Sequence, residues 1–100
     1  MSNDFTIDDN GQGKLAIVGE LTRKTIRGKQ QKLFAEIISK YGQDVDLSKL
    51  NKVDTAGLAW LLALFEFAAQ KQIKINYSQA PSELVKLATL SRVNELLALN

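Results

Sequence analysis

The sequence predicts a single α/β domain over residues 1–100, built on a four-stranded mixed sheet with about four helices. Three observations predict it. Segments that alternate apolar and polar residues are interleaved with segments of helical period, which favours parallel strands joined by right-handed crossovers. Only the first two strands follow one another directly, across a short turn cluster, so that pair is antiparallel. A nearly unbroken apolar run at residues 56–69, with Glu66 as its only charge, then marks a central helix covering the middle of the sheet.

The elements follow in order. Phe5-Thr6-Ile7-Asp8 alternates as a half-buried strand does, and Asp9-Asn10-Gly11-Gln12-Gly13 is a turn cluster. Lys14-Leu15-Ala16-Ile17-Val18 is the second strand. Residues 24–39 carry a helical stripe of Ile26, Leu33, Phe34, Ile37 and Ile38, weakened early by Gly28 and stopped at Tyr41-Gly42. Asp44-Val45-Asp46-Leu47 is a short third strand, and residues 48–52 read as a loop. Asp54 is placed to cap the central helix, because its carboxylate can accept amide hydrogens of the first turn. Ile73-Lys74-Ile75-Asn76-Tyr77 alternates as the fourth strand. Pro81 suits the start of a helix over residues 83–90, and Ser91 is placed to cap a last short helix over residues 92–99.

Turning the central helix by about 100° per residue divides it into two faces. Gly57, Trp60, Leu61, Leu64, Phe65, Phe67 and Ala68 fall on a bulky apolar side. Thr55, Ala59, Leu62, Ala63, Glu66 and Gln70 form a narrow opposite stripe of small and mildly polar residues. A plain solvated face would carry Lys and Glu at most of these positions. Small side chains let another backbone come close, so the stripe reads either as simply exposed or as the seat of a partner protein.

Composition excludes several function classes. Apolar residues make up 45% and charged residues 24%, ordinary for a soluble globular domain. There is no Cys, hence no disulfide and no thiolate nucleophile or metal ligand. There is no His, which removes the commonest general base and metal ligand. No Ser, Lys or Tyr stands in a recognisable catalytic setting, so no enzyme activity is expected. Asp44 and Asp46 share a strand face and could hold a divalent cation, but no third ligand accompanies them, so neither metal nor cofactor is expected. Gly11-Gln12-Gly13 lies within a hairpin and not between strand and helix, so it is no phosphate loop. Arg23, Lys24, Arg27, Lys29 and Lys32 form a basic cluster with no acid among them. No aromatics are interleaved with these charges, so a solvated face or one near anionic lipid or an acidic partner fits better than nucleic acid. The apolar run of the central helix is shorter than the roughly 20 residues a bilayer needs. The N-terminus lacks a signal-peptide pattern, so a cytoplasmic location is expected.

Three sets of residues carry a resemblance to a known family. Gly19-Glu20-Leu21, Asp46-Leu47-Ser48 with Val53, and Asp54-Thr55-Ala56-Gly57-Leu58 together resemble the STAS domain, the fold of the bacterial anti-sigma factor antagonists. The last set is the specific one and matches an Asp-Ser/Thr-x-Gly-Leu signature. The resemblance covers essentially the whole chain. The 100-residue length, the Val-Asp-Thr-x-Gly-Leu-Ala form and the Leu/Ala-rich helix are most similar to the stand-alone STAS subunits of phospholipid-transporting ABC complexes.

That resemblance implies a non-catalytic accessory subunit, monomeric when isolated and peripheral at the inner membrane. It would bind the cytoplasmic ATPase subunit and support assembly and activity of a transporter that maintains outer-membrane lipid asymmetry. The permease and phospholipid would be indirect partners. The implied contact surrounds the start of the central helix: Lys52, Asp54, Thr55, Ala59, Leu62, Ala63 and Glu66, with Thr22 from the preceding loop. The alternative is an anti-sigma antagonist switched by phosphorylation of Thr55, which matches the modified position of those proteins. Thr22 stands where they usually carry Asp, which weighs against a kinase partner at that loop. A Thr hydroxyl near a helix start also commonly bonds the backbone without further role.

Overall fold

A computed structural model describes residues 5–9, 14–26, 28, 30–40 and 44–99. The strands are β1 (Phe5–Asp9), β2 (Lys14–Leu21), β3 (Asp44–Asp46), β4 (Leu50–Val53) and β5 (Asn76–Ser78); the helices are α1 (Gln31–Lys40), α2 (Thr55–Ala69) and α3 (Ser82–Leu90). Of the predicted turn at residues 9–13, Asp9 ends β1 and residues 10–13 lie outside the described residues, as do the helix stop at Tyr41-Gly42 and Arg27 and Lys29 of the basic cluster.

The sheet is mixed, as expected. β1 pairs antiparallel with β2, from Phe5 opposite Gly19 to Asp9 opposite Leu15. β3 and β4 both run parallel to β2, and β5 runs parallel to β3. Among the described residues the sheet has five strands where four were expected, because residues 50–52 of the predicted loop, together with Val53, form β4. β3 pairs with Lys14–Ala16 and β4 with Gly19–Leu21, so the two follow one another along the same edge of β2. The interruption between them is a turn. The Asp46 Oδ1 accepts the Ser48 amide hydrogen at 2.8 Å, and the Leu50 amide donates to the Leu47 carbonyl. On β2 the register shifts between Gly19 and Glu20, where Gly19 takes φ 107°. That backbone conformation suits glycine and marks a bulge, which accounts for the glycine of Gly-Glu-Leu.

The helices also depart from expectation at their ends. The first was predicted from residue 24 but starts at Gln31. Thr22 to Thr25 form a hydrogen-bonded turn instead, and Gly28 sits at φ 69°, outside any right-handed helix. The fourth strand was predicted from Ile73 but begins at Asn76. Gln72 takes φ 63°, and the amides of Gln72 and Ile73 bond back to the carbonyls of Ala69 and Ala68, so these residues close α2. The expected last helix over residues 92–99 is absent as a regular helix. Ser91 ends α3 and does not cap a new helix; Arg92 at φ 61° and Ala98 at φ 55° turn the chain instead. Those turns still deliver Leu97 and Leu99 into the core, each 2% exposed.

The central helix is placed as predicted. α2 packs against α1, α3 and β4. Leu58, Trp60, Leu61, Leu64 and Ala68 are buried, while Phe65 and Phe67 are half-buried at the flanks. Trp60 meets Phe5 and Phe34 edge-on, with centroids 5.5 and 5.2 Å away. Tyr77 of β5 donates its hydroxyl to the Leu61 carbonyl at 2.6 Å, tying the far strand of the sheet to α2.

Candidate partner-binding site

The site begins with Asp54, between β4 and α2. Its Oδ1 accepts the Gly57 amide hydrogen at 3.0 Å, which caps the helix as the sequence predicted. Its Oδ2 accepts the Arg23 amide hydrogen at 3.0 Å, from a loop 31 positions away. One carboxylate therefore fastens the loop after β2 to the start of α2. Burial works against its charge, but the amide donors of Arg23, Gly57 and Ala56 outweigh it and hold the carboxyl below the ordinary carboxylate range.

Gly57 explains why the signature needs a glycine in a helix. A Cβ there would overlap the Leu21 carbonyl oxygen and stand 2.8 Å from Val53 Cγ2. The helix backbone lies directly against the end of β2, an approach no larger residue permits. This contact sets the depth and rotation of α2.

With that rotation set, Thr55, Ala59, Ala63, Glu66 and Gln70 are exposed. The stripe read from the helical wheel is thus a real outward face. Leu62 is the exception: it is half-buried and packed against the core cluster, at the edge of the stripe. Lys52 is exposed at the end of β4, on the flank facing Pro81, Ser82 and Glu83 at the start of α3. Thr22 is buried, 5% exposed, and its hydroxyl accepts the Lys24 amide hydrogen at 3.3 Å. Its side chain shapes the loop beneath the face and is not presented on it.

Two grooves border the start of α2. One, of about 330 Å³, is lined by Arg23, Ile26, Gln30, Phe34, Ala56, Ala59, Trp60 and Ala63. The other, of about 380 Å³, is lined by Val53, Asp54, Glu83, Lys86 and Leu87. Sequence reasoning missed the Arg23, Ile26 and Gln30 side of the first groove, because it assigned Ile26 and Gln30 to a helix that began directly after Arg23. The signal was Thr25, three residues after Thr22: its hydroxyl donates to the Glu20 carbonyl at 2.8 Å and accepts the Thr22 amide hydrogen at 3.0 Å. Asp44 and Asp46 build no shared site. Asp44 receives the Asn76 side-chain amide at 3.4 Å, Asp46 closes the β3–β4 turn, and no group of three potential metal ligands occurs among the described residues.

The family model described as "Mlab, STAS domain" matches residues 5–98. This chain belongs to that STAS family. The match spans every element from β1 to the turns after α3, so the Asp-Thr-x-Gly-Leu signature, the Gly57 contact and the Asp54 clasp all lie inside it. No curated protein matches the chain. No helix among the described residues is long and apolar enough to cross a membrane.

Proposed function

We propose that this protein is a non-catalytic accessory subunit that binds the cytoplasmic ATPase of a phospholipid-transporting ABC complex and supports its assembly and activity. The observation that carries the reading is the exposed face of Thr55, Ala59, Ala63 and Glu66 on a helix whose opposite side is core. Small side chains leave the α2 backbone accessible to a close-packed partner, and the lack of Cys and His leaves little chemistry for an enzyme. Membership of an Mlab-type STAS family supports the choice of partner. On this reading the protein is peripheral at the inner membrane through the ATPase.

The competing reading, an antagonist switched by phosphorylation, is favoured by the exposure of Thr55 at the first position of α2. A phosphate adds about −1.5 to −2 charge, which a helix N-terminus tolerates or favours. The test that bears on both is Thr55→Glu. The domain should stay folded by circular dichroism while co-purification with the ATPase subunit falls. Unchanged affinity for the ATPase would refute the accessory-subunit reading of this face. Phosphate incorporation at Thr55 by a serine kinase, with no ATPase association of the wild type, would favour the antagonist.

A further inference from the structure

A basic cluster follows β2. Residues 23–32 carry five cations and no carboxylate, while the rest of the chain carries more carboxylates than cations. Arg23, Lys24 and Lys32 are all exposed. Arg23 lines the first groove, and its own backbone amide is clasped by Asp54. Arg23 is therefore held in register with α2 by a bond that does not use its side chain.

The groove itself asks for an apolar occupant. Phe34 and Trp60 form its floor, 5% and 3% exposed, and the small side chains of Ala59 and Ala63 leave it open. The polar edge of Trp60 is satisfied, since its Nε1–H donates to the Gln30 Oε1 at 3.0 Å. A bilayer surface would need apolar side chains that protrude, and here the large ones are recessed. A protruding partner side chain fits this shape.

We infer that the groove between Arg23, Ile26 and Gln30 on one side and α2 on the other seats an acidic segment of the partner ATPase, with an apolar side chain in the groove and carboxylates against Arg23. This rests on the proposed function and adds the partner's chemistry. A cationic rim steers an acidic partner and makes its association salt-sensitive.

The experiment uses the full chain and the ATPase subunit purified from the same organism. Binding is followed by fluorescence of the single tryptophan, Trp60, and by calorimetry, for the wild type, Arg23→Glu, Ala63→Phe and a distant control, Lys74→Glu. Thermal melts establish that each is folded. Arg23→Glu should weaken binding by about tenfold or more and flatten its dependence on salt. Ala63→Phe, which fills the groove, should weaken binding without changing the salt dependence, and Lys74→Glu should match the wild type. If the wild type binds the ATPase and both groove variants bind equally well, the inference falls and the proposed function stands. If the wild type does not bind the ATPase, both fall. If Arg23→Glu leaves the complex intact but abolishes binding to vesicles containing an anionic phospholipid, the rim serves a lipid surface and the inference is overturned.

Discussion

Asp54 has two oxygens and uses each for a different purpose. One caps α2 and the other holds the loop after β2. Losing an N-cap costs about 0.5–2 kcal/mol. Asp54→Ala should therefore destabilise the domain by about that amount or more, since the Arg23 amide also loses its partner. The effect depends on pH with a definite sign. The carboxyl pKa is lowered in the folded state, so its ionised form contributes stability above the unfolded value. That stability is lost as pH falls from the ordinary value of 3.8 through the lowered one. The gap between wild type and Asp54→Ala in urea melts should thus narrow in that range, and a gap unchanged at pH 2 would contradict the assignment. Gly57 makes a sharper case. Gly57→Ala places a methyl group onto the Leu21 backbone carbonyl, which cannot move without disturbing the end of β2. Overpacking of this kind costs about 1–3 kcal/mol or more, although alanine is otherwise the better helix former. A melting temperature equal to that of the wild type would mean that α2 sits further from the sheet.

At the scale of the element, α2 divides into a core side and a free side, and the two should respond oppositely. Leu64 is fully buried and Ala59 is exposed. Truncating a buried Leu costs about 2–5 kcal/mol. Leu64→Ala should lower the melting temperature markedly and leave some binding, whereas Ala59→Arg should melt near the wild type and lose the partner. Leu62 had the same expected behaviour as Ala59 on the helical wheel, but it packs on the core edge. Leu62→Arg should therefore cost stability as well as binding, which makes Ala59 the cleaner probe. A melt of Ala59→Arg far below that of the wild type would show that this face is covered within the domain.

At the scale of the whole molecule, one bond joins the outermost strand to the central helix. The Tyr77 hydroxyl is buried and donates to the Leu61 carbonyl. Burial pushes its pKa well above the ordinary value, which favours the protonated, hydrogen-bonding phenol. Tyr77→Phe removes the donor, while the Leu61 carbonyl keeps its place in the helical ladder. The expected cost is about 0.5–1.5 kcal/mol in thermal or chemical melts. A cost near zero would show that packing alone holds β5 to α2.

The mixed sheet, the antiparallel first pair, the Asp54 cap and the outward stripe of α2 were legible before any contact was known. Each follows from local periodicity or from a side chain bonding its own neighbours, and local patterns are written in consecutive residues. The tertiary structure decided the rest. It made residues 50–53 a strand, because an empty edge of β2 beyond the Gly19 bulge offered them partners. It ended the last apolar stretch in turns, because Leu97 and Leu99 reach the core from a chain reversed at Arg92 and Ala98. It also placed Ile26 and Gln30, read as helix, beside Arg23 along one wall of a groove. That wall depends on a hydrogen bond between Arg23 and Asp54, 31 residues apart, and no window of neighbouring residues contains both.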